Sequence, residues 1–188
     1  MLVDISFLKS KTTTIFGGFI FMIGQIIIIL VCLCGSAFFS GTETAFSTFN
    51  RIRMKKLAQD GNKKAQRVIT ISEKYDKFIT TVLIGNNIVN ILLSSIATIL
   101  TVDLCIKFMG SDNYAPAIST AVTTVVVLIF GEISPKTIAK EHADGFAIGV
   151  CSIIWFLEII LTPFTFCVNK ISSMTLSHIN STFCVFCV

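Results

Sequence analysis

Charge is scarce in this sequence: 14% of its 188 residues are ionised, against about 25% in an ordinary soluble domain. Apolar residues reach 53% and the mean hydropathy is +0.82, so a water-solvated globule with a polar shell is excluded. Histidine is nearly missing, with two copies, and no GxSxG elbow occurs. A hydrolase built on Ser40 and His142 therefore lacks its parts, and no enzyme is expected. Nothing in the sequence calls for a nucleic-acid partner.

Cysteine is present in seven copies but without a repeated spacing, mostly inside or beside apolar runs. Such residues read as small apolar side chains rather than a disulfide framework. Cys184 and Cys187 form a lone CxxC with no second half of a zinc site, and the C-terminus lacks the cysteine fourth from the end that prenylation needs.

What is abundant is long apolar sequence. Blocks at 15–39, 78–102, 114–131 and 145–168 together fill about half of the chain. The first is too long for the 7–15-residue core of a signal peptide, although Lys9, Lys11 and the small residues 35–37 would suit one. It reads better as a first spanning helix. The fourth is long enough to cross, yet contains Glu158 and is interrupted by Thr162-Pro163, so a re-entrant or interfacial hairpin fits as well as a span.

Residues 49–77 carry nine Lys/Arg against three acids, which places this segment in the cytoplasm and the N-terminus outside. Asp60-Gly61-Asn62 is a turn signal, and Ala65, Val68, Ile69 and Ser72 follow helical spacing. Two amphipathic helices at the inner membrane surface are expected, with membrane lipid as their partner. The simplest role for their charge is to set topology.

Three polar motifs interrupt the first three blocks. In the first, Ser36, Ser40, Glu43 and Ser47 share one helical face, either as an oxygen stripe or as a serine-lined helix contact. In the second, Asn86, Asn87 and Asn90 cluster in an apolar helix, and three amides demand more partners than helix pairing supplies. The third is Gly131-Glu132-Ile133-Ser134-Pro135-Lys136. Pro135 would release the Gly131 carbonyl beside the Glu132 carboxylate, while Lys136 offers Glu132 an ordinary ion pair one turn on.

At 1.5 Å per residue, Asn86 and Asn90 lie roughly 12–18 Å from the inner end of their helix, a depth that Ser40 and Glu132 can share. The inventory is hydroxyls, amides, carbonyls and one or two carboxylates, with no thiolate or imidazole. Such hard oxygen donors suit Mg²⁺, Ca²⁺ or Na⁺ and not Zn²⁺ or Cu⁺.

The ordered motifs FFSGTETA, LIGNNIVN and GEISPKTIA resemble the membrane domain of the CNNM/CorC family of magnesium transporters, including its haemolysin-like bacterial branch, over roughly residues 20–175. The resemblance implies an all-α integral membrane protein, multi-pass in the cell (inner) membrane, with three spanning helices plus juxtamembrane or re-entrant helices. On that plan residues 1–14 are extracytoplasmic and 15–175 form the transmembrane domain. Its spans lie near 15–47, 78–102 and 114–134, its cytoplasmic helices at 49–77, its interfacial or re-entrant helices at 145–168, and its tail at 176–188. It further implies a homodimer and Na⁺-coupled Mg²⁺ export.

Carried onto this chain, the metal residues are Ser40 (or Ser36 on the same face), Asn86, Asn90 and Gly131-Glu132; the motifs themselves add Glu43 as a further candidate metal residue, with Pro135 and Lys136 structural. Family members usually continue into nucleotide-binding CBS modules. This sequence ends at Val188 without them, so ATP regulation through such modules is not expected of it. The alternative to transport is a membrane module that senses a cation or acts as a scaffold without moving it.

Overall fold

The computed structural model describes residues 3–162, and side chains from Ile20 onward; the expected tail at 176–188 and the end of the 145–168 segment lie outside the described residues. Among the described residues every regular element is a helix. Helix α1 spans Val3–Thr48 and contains no proline, so its hydrogen-bond ladder runs unbroken.

Two short helices follow, each opened by an asparagine whose side chain takes up orphan amides. The Asn50 carboxamide accepts from Ile52 and Arg53 at the start of α2 (Arg51–Gln59), and Asn62 accepts from Lys64 and Ala65 at the start of α3 (Lys63–Glu73). Gly61 between them adopts φ +91°, which only glycine takes without strain, so the expected turn is there. The buried face of α3 is Ala65, Val68, Ile71 and Ser72, with Ile71 in place of the expected Ile69.

Helix α4 spans Tyr75–Met109, with Asp76 in its first turn and Lys107 in its last, both matching the helix dipole. Helix α5 (Ala115–Val126) opens on a proline in its first turn and leads into a π-helical segment, Val127–Ile133. Helix α6 (Ser134–Glu141) and helix α7 (Ala143–Thr162) complete the described chain.

The expected all-helical membrane protein is found, with one difference in the count. Four helical stretches, not three, are long and apolar enough to cross a membrane: Ile20–Thr48, Tyr75–Phe108, Ala115–Glu141 and Ala143–Thr162. The fourth qualifies because the Thr162-Pro163 interruption falls at its end, leaving 20 helical residues before it. Isoleucine, valine and phenylalanine side chains stay exposed along these helices, among them Ile27, Val31, Ile91, Val122 and Phe130, as a lipid-facing surface requires.

The helices group into two compact units. Among the described residues the first comprises 3–38 and 86–135, the second 39–85 and 136–162. In the first, Gly35 lets Val89 approach within 3.3 Å of where a Cβ would stand, Leu93 and Cys105 are buried, and Gln25 donates to Asp103 at 3.3 Å. Small residues at such crossings are what membrane helices use to pack, since lipid gives no hydrophobic drive between them.

The second unit has an aromatic core in which Phe46 stacks on Phe78 with ring centroids 4.4 Å apart and meets Phe49 edge-on at 6.1 Å. Gly85 accommodates the Phe39 ring, and Gly41 admits Phe146 of α7. The polar partners of α7 also belong to this unit. Asp144 accepts from the Asn50 amide at 2.9 Å and pairs with Arg53 at 3.3 Å, while Ser152 accepts from Arg67 at 3.2 Å.

Candidate functional site

Within the first unit, three segments converge on Ser36. Its side chain is fully buried (0% exposed), and its hydroxyl donates to the Asn86 carboxamide oxygen at 3.2 Å, joining α1 to α4. On the π segment, a Cβ added to buried Gly131 would stand 3.0 Å from the Ser36 oxygen. Only glycine permits this approach without a neighbour giving way. The Gly131 backbone is thus held beside a hydroxyl whose proton already belongs to Asn86, leaving the oxygen's lone pairs for something else.

The π segment follows from Pro135. Proline has no N–H to return to the carbonyl four positions back, and the register slips by one, so that the Ser134 amide donates to the Ile129 carbonyl, five residues earlier. Where an α-helix interrupted at Pro135 was expected, the turn is wound as a π-helix that contains both Gly131 and Glu132.

One turn beyond Asn86 on α4, the Asn90 carboxamide oxygen is buried and has no hydrogen-bond partner. An unsatisfied buried acceptor costs about 1–3 kcal/mol, so this atom calls for a cation or a donor. Asn90 and Glu132 line the same cavity of about 380 Å³. The rest of its wall, beyond the three polar motifs, includes Ser94 and Thr98 on α4, and Ser119, Thr120, Thr123 and Thr124 on α5.

Thr98 donates its proton to the Ser94 carbonyl at 2.9 Å and Thr120 to the Pro116 carbonyl at 2.8 Å. A threonine bonded back in this way faces the cavity as an acceptor alone. Thr98 and Ser119 oxygens lie 3.2 Å apart across the two helices. The signal was available in the sequence, since Asn90, Ser94 and Thr98 recur every fourth residue and 119–124 holds four hydroxyls.

Five of the seven candidate metal residues, Ser36, Asn86, Asn90, Gly131 and Glu132, therefore belong to the first unit. Asn87 is exposed. Ser40 and Glu43 belong to the second unit, where Ser40 is buried and its carbonyl accepts from Thr44 at 3.2 Å. Lys136 pairs with Glu43 at 3.4 Å. Ser47 is exposed, donating to the Glu43 carbonyl and lying 3.0 Å from the Tyr75 hydroxyl. No group of three His, Cys, Asp or Glu side chains gathers among the described residues, so the donor set is neutral oxygens around a single carboxylate.

The profile of the cyclin M transmembrane N-terminal domain, CNNM, matches residues 27–182. The UPF0053 inner membrane protein YfjD of Escherichia coli K12 is 40% identical over 139 residues, 74% of this chain and 31% of that protein. A UPF0053 protein of Haemophilus influenzae is 37% identical over 143 residues, 76% of this chain and 33% of its own. The polyamine export protein of Escherichia coli K12 is 28% identical over 160 residues, 81% of this chain and 36% of its own. The chain spans about a third of the length of these curated relatives.

Proposed function

The chain belongs to the CNNM family of transmembrane domains, and from that membership we propose that it carries a hard cation, Mg²⁺, across the membrane. The observation that carries this reading is the buried, unpartnered Asn90 oxygen on a cavity wall shared with Glu132. Glu132 supplies the charge, and Asn86, Asn90, Ser36 and the Gly131 carbonyl supply neutral oxygens. A single carboxylate holds a dication loosely enough to release it, which a carrier needs and a storage site does not. The hydroxyl-lined remainder of the cavity extends the path along α4 and α5 with acceptors that replace part of the ion's water.

The direction proposed is export coupled to Na⁺ entry, by a homodimer in the inner membrane with its N-terminus outside. The charge of residues 49–77 supports that orientation. The test is flux from Mg²⁺-loaded proteoliposomes with and without a Na⁺ gradient. Glu132→Gln is expected to lower the rate by at least about tenfold, as removal of the one compensating charge should. Unchanged flux in that variant overturns the assignment, and Mg²⁺ binding without any flux favours the sensing or scaffolding alternative.

A second reading rests on the relative named a polyamine export protein. A linear diamine donates hydrogen bonds to the same hydroxyls and carboxylate. Measuring a diamine beside Mg²⁺ in the same vesicles decides between the two cargoes.

A further inference from the structure

The second unit holds a cavity of about 200 Å³ unrelated to the transport reading, lined by Arg67, Lys74, Lys77, Trp155, Glu158 and Ile159 among others. Three cations share it with one carboxylate. Arg67 is fixed there, its guanidinium 5.8 Å from the centre of the Trp155 ring and donating to Ser152 at 3.2 Å. Glu158 is only 7% exposed, and its Oε1 is buried with no hydrogen-bond partner. Neither Lys74 nor Lys77 closes on it within ion-pair distance.

The wall therefore makes two opposite demands. Its surplus of positive charge asks for an anion, while its buried carboxylate oxygen asks for a small cationic donor. A simple anion meets the first and worsens the second. A zwitterion carrying a phosphate and a primary ammonium meets both.

Beside the cavity, α7 leaves Trp155, Phe156, Ile159 and Ile160 more than half exposed, an apolar strip suited to an acyl chain, and tryptophan is a side chain that favours the membrane–water boundary. We infer that this cavity binds the headgroup of an ethanolamine phospholipid, its phosphate held by Arg67, Lys74 and Lys77 and its ammonium by Glu158. The three N–H bonds of a primary ammonium are what distinguish this ligand, since the trimethylammonium of choline donates none.

Trp155 is the chain's one tryptophan, so its fluorescence reports the site directly. The test titrates the full chain in detergent with phosphatidylethanolamine, its mono-, di- and trimethylated forms and phosphatidylglycerol, counting lipid adducts in parallel by native mass spectrometry. Affinity is expected to fall about tenfold from the unmethylated to the trimethylated lipid. Glu158→Gln should abolish that difference without weakening phosphatidylglycerol, and Lys77→Gln should weaken every lipid.

Tighter binding of phosphatidylglycerol than of phosphatidylethanolamine by the unaltered chain would show a plain basic patch and overturn the inference. A methylation series with no slope overturns it without requiring that any variant fold. Displacement of the lipid by inorganic phosphate as readily as by phosphoethanolamine also overturns it, because the ammonium would then contribute nothing.

Discussion

At Gly131 the missing side chain is what lets α1 and the π segment meet, because a methyl group there would press on Ser36 at 3.0 Å. Gly131→Ala is expected to lower stability by about 1–3 kcal/mol, the usual effect of overpacking, and to reduce flux by displacing Ser36 from Asn86. Adding Ser36→Gly removes the obstructing hydroxyl and should restore the melting temperature but not the flux. Recovery of both would remove Ser36 from the site. At this scale much was legible: Asn86, Asn90 and Glu132 stand out because polar groups in an apolar helix must be satisfied. The ion pair of Lys136 with Glu43 was not legible, since Glu43 lies 93 positions away in sequence and no local spacing connects the two. The hydroxyls of 119–124 were passed over because single threonines are ordinary in membrane helices and acquire meaning only when a second helix faces them.

Among the elements, the π segment and α7 hold what local rules do not reach. A proline signals a broken ladder, but whether the turn opens or rewinds depends on neighbouring pairings that sequence does not state. Pro135→Ala restores the missing N–H, whose loss to proline inside a helix costs roughly 3 kcal/mol relative to alanine, and should let the segment relax to an α-helix. Closing that extra residue turns Glu132 by about 100° around the axis, so a melting temperature equal to or above the original, with flux lost, is expected. Retained flux would show that the π geometry is dispensable.

For α7, length and apolarity permit a crossing, yet its polar partners Asn50, Arg53 and Arg67 all come from the basic segment. From Asp144 to Trp155 it runs beside the basic segment, which the proposed topology puts at the inner surface, so α7 is expected to lie along that surface. Quenching of Trp155 by lipids brominated near the headgroup should exceed quenching by lipids brominated near the chain end. The reverse order would make α7 a fourth span.

For the molecule as a whole, the fold class was legible from composition because lipid leaves so few solutions for a chain this poor in charge. The number of crossings was less so, since it depends on one helix whose two readings share a sequence. Orientation rests on the basic segment. Replacing Arg51, Arg53, Lys55, Lys56, Lys63 and Lys64 with glutamine should leave a mixed population, read as protection of a Ser111→Cys label from an impermeant thiol reagent added outside. Full labelling would place the topological signal elsewhere. The cavity of the first unit carries a consequence for kinetics. With one carboxylate on its wall, it balances a single extra positive charge and holds a dication at a net charge of plus one. A second dication would meet repulsion with nothing to offset it. On the proposed transport, passengers go one at a time, and the rate is expected to rise with cargo concentration along a simple hyperbola, with a Hill coefficient of about one.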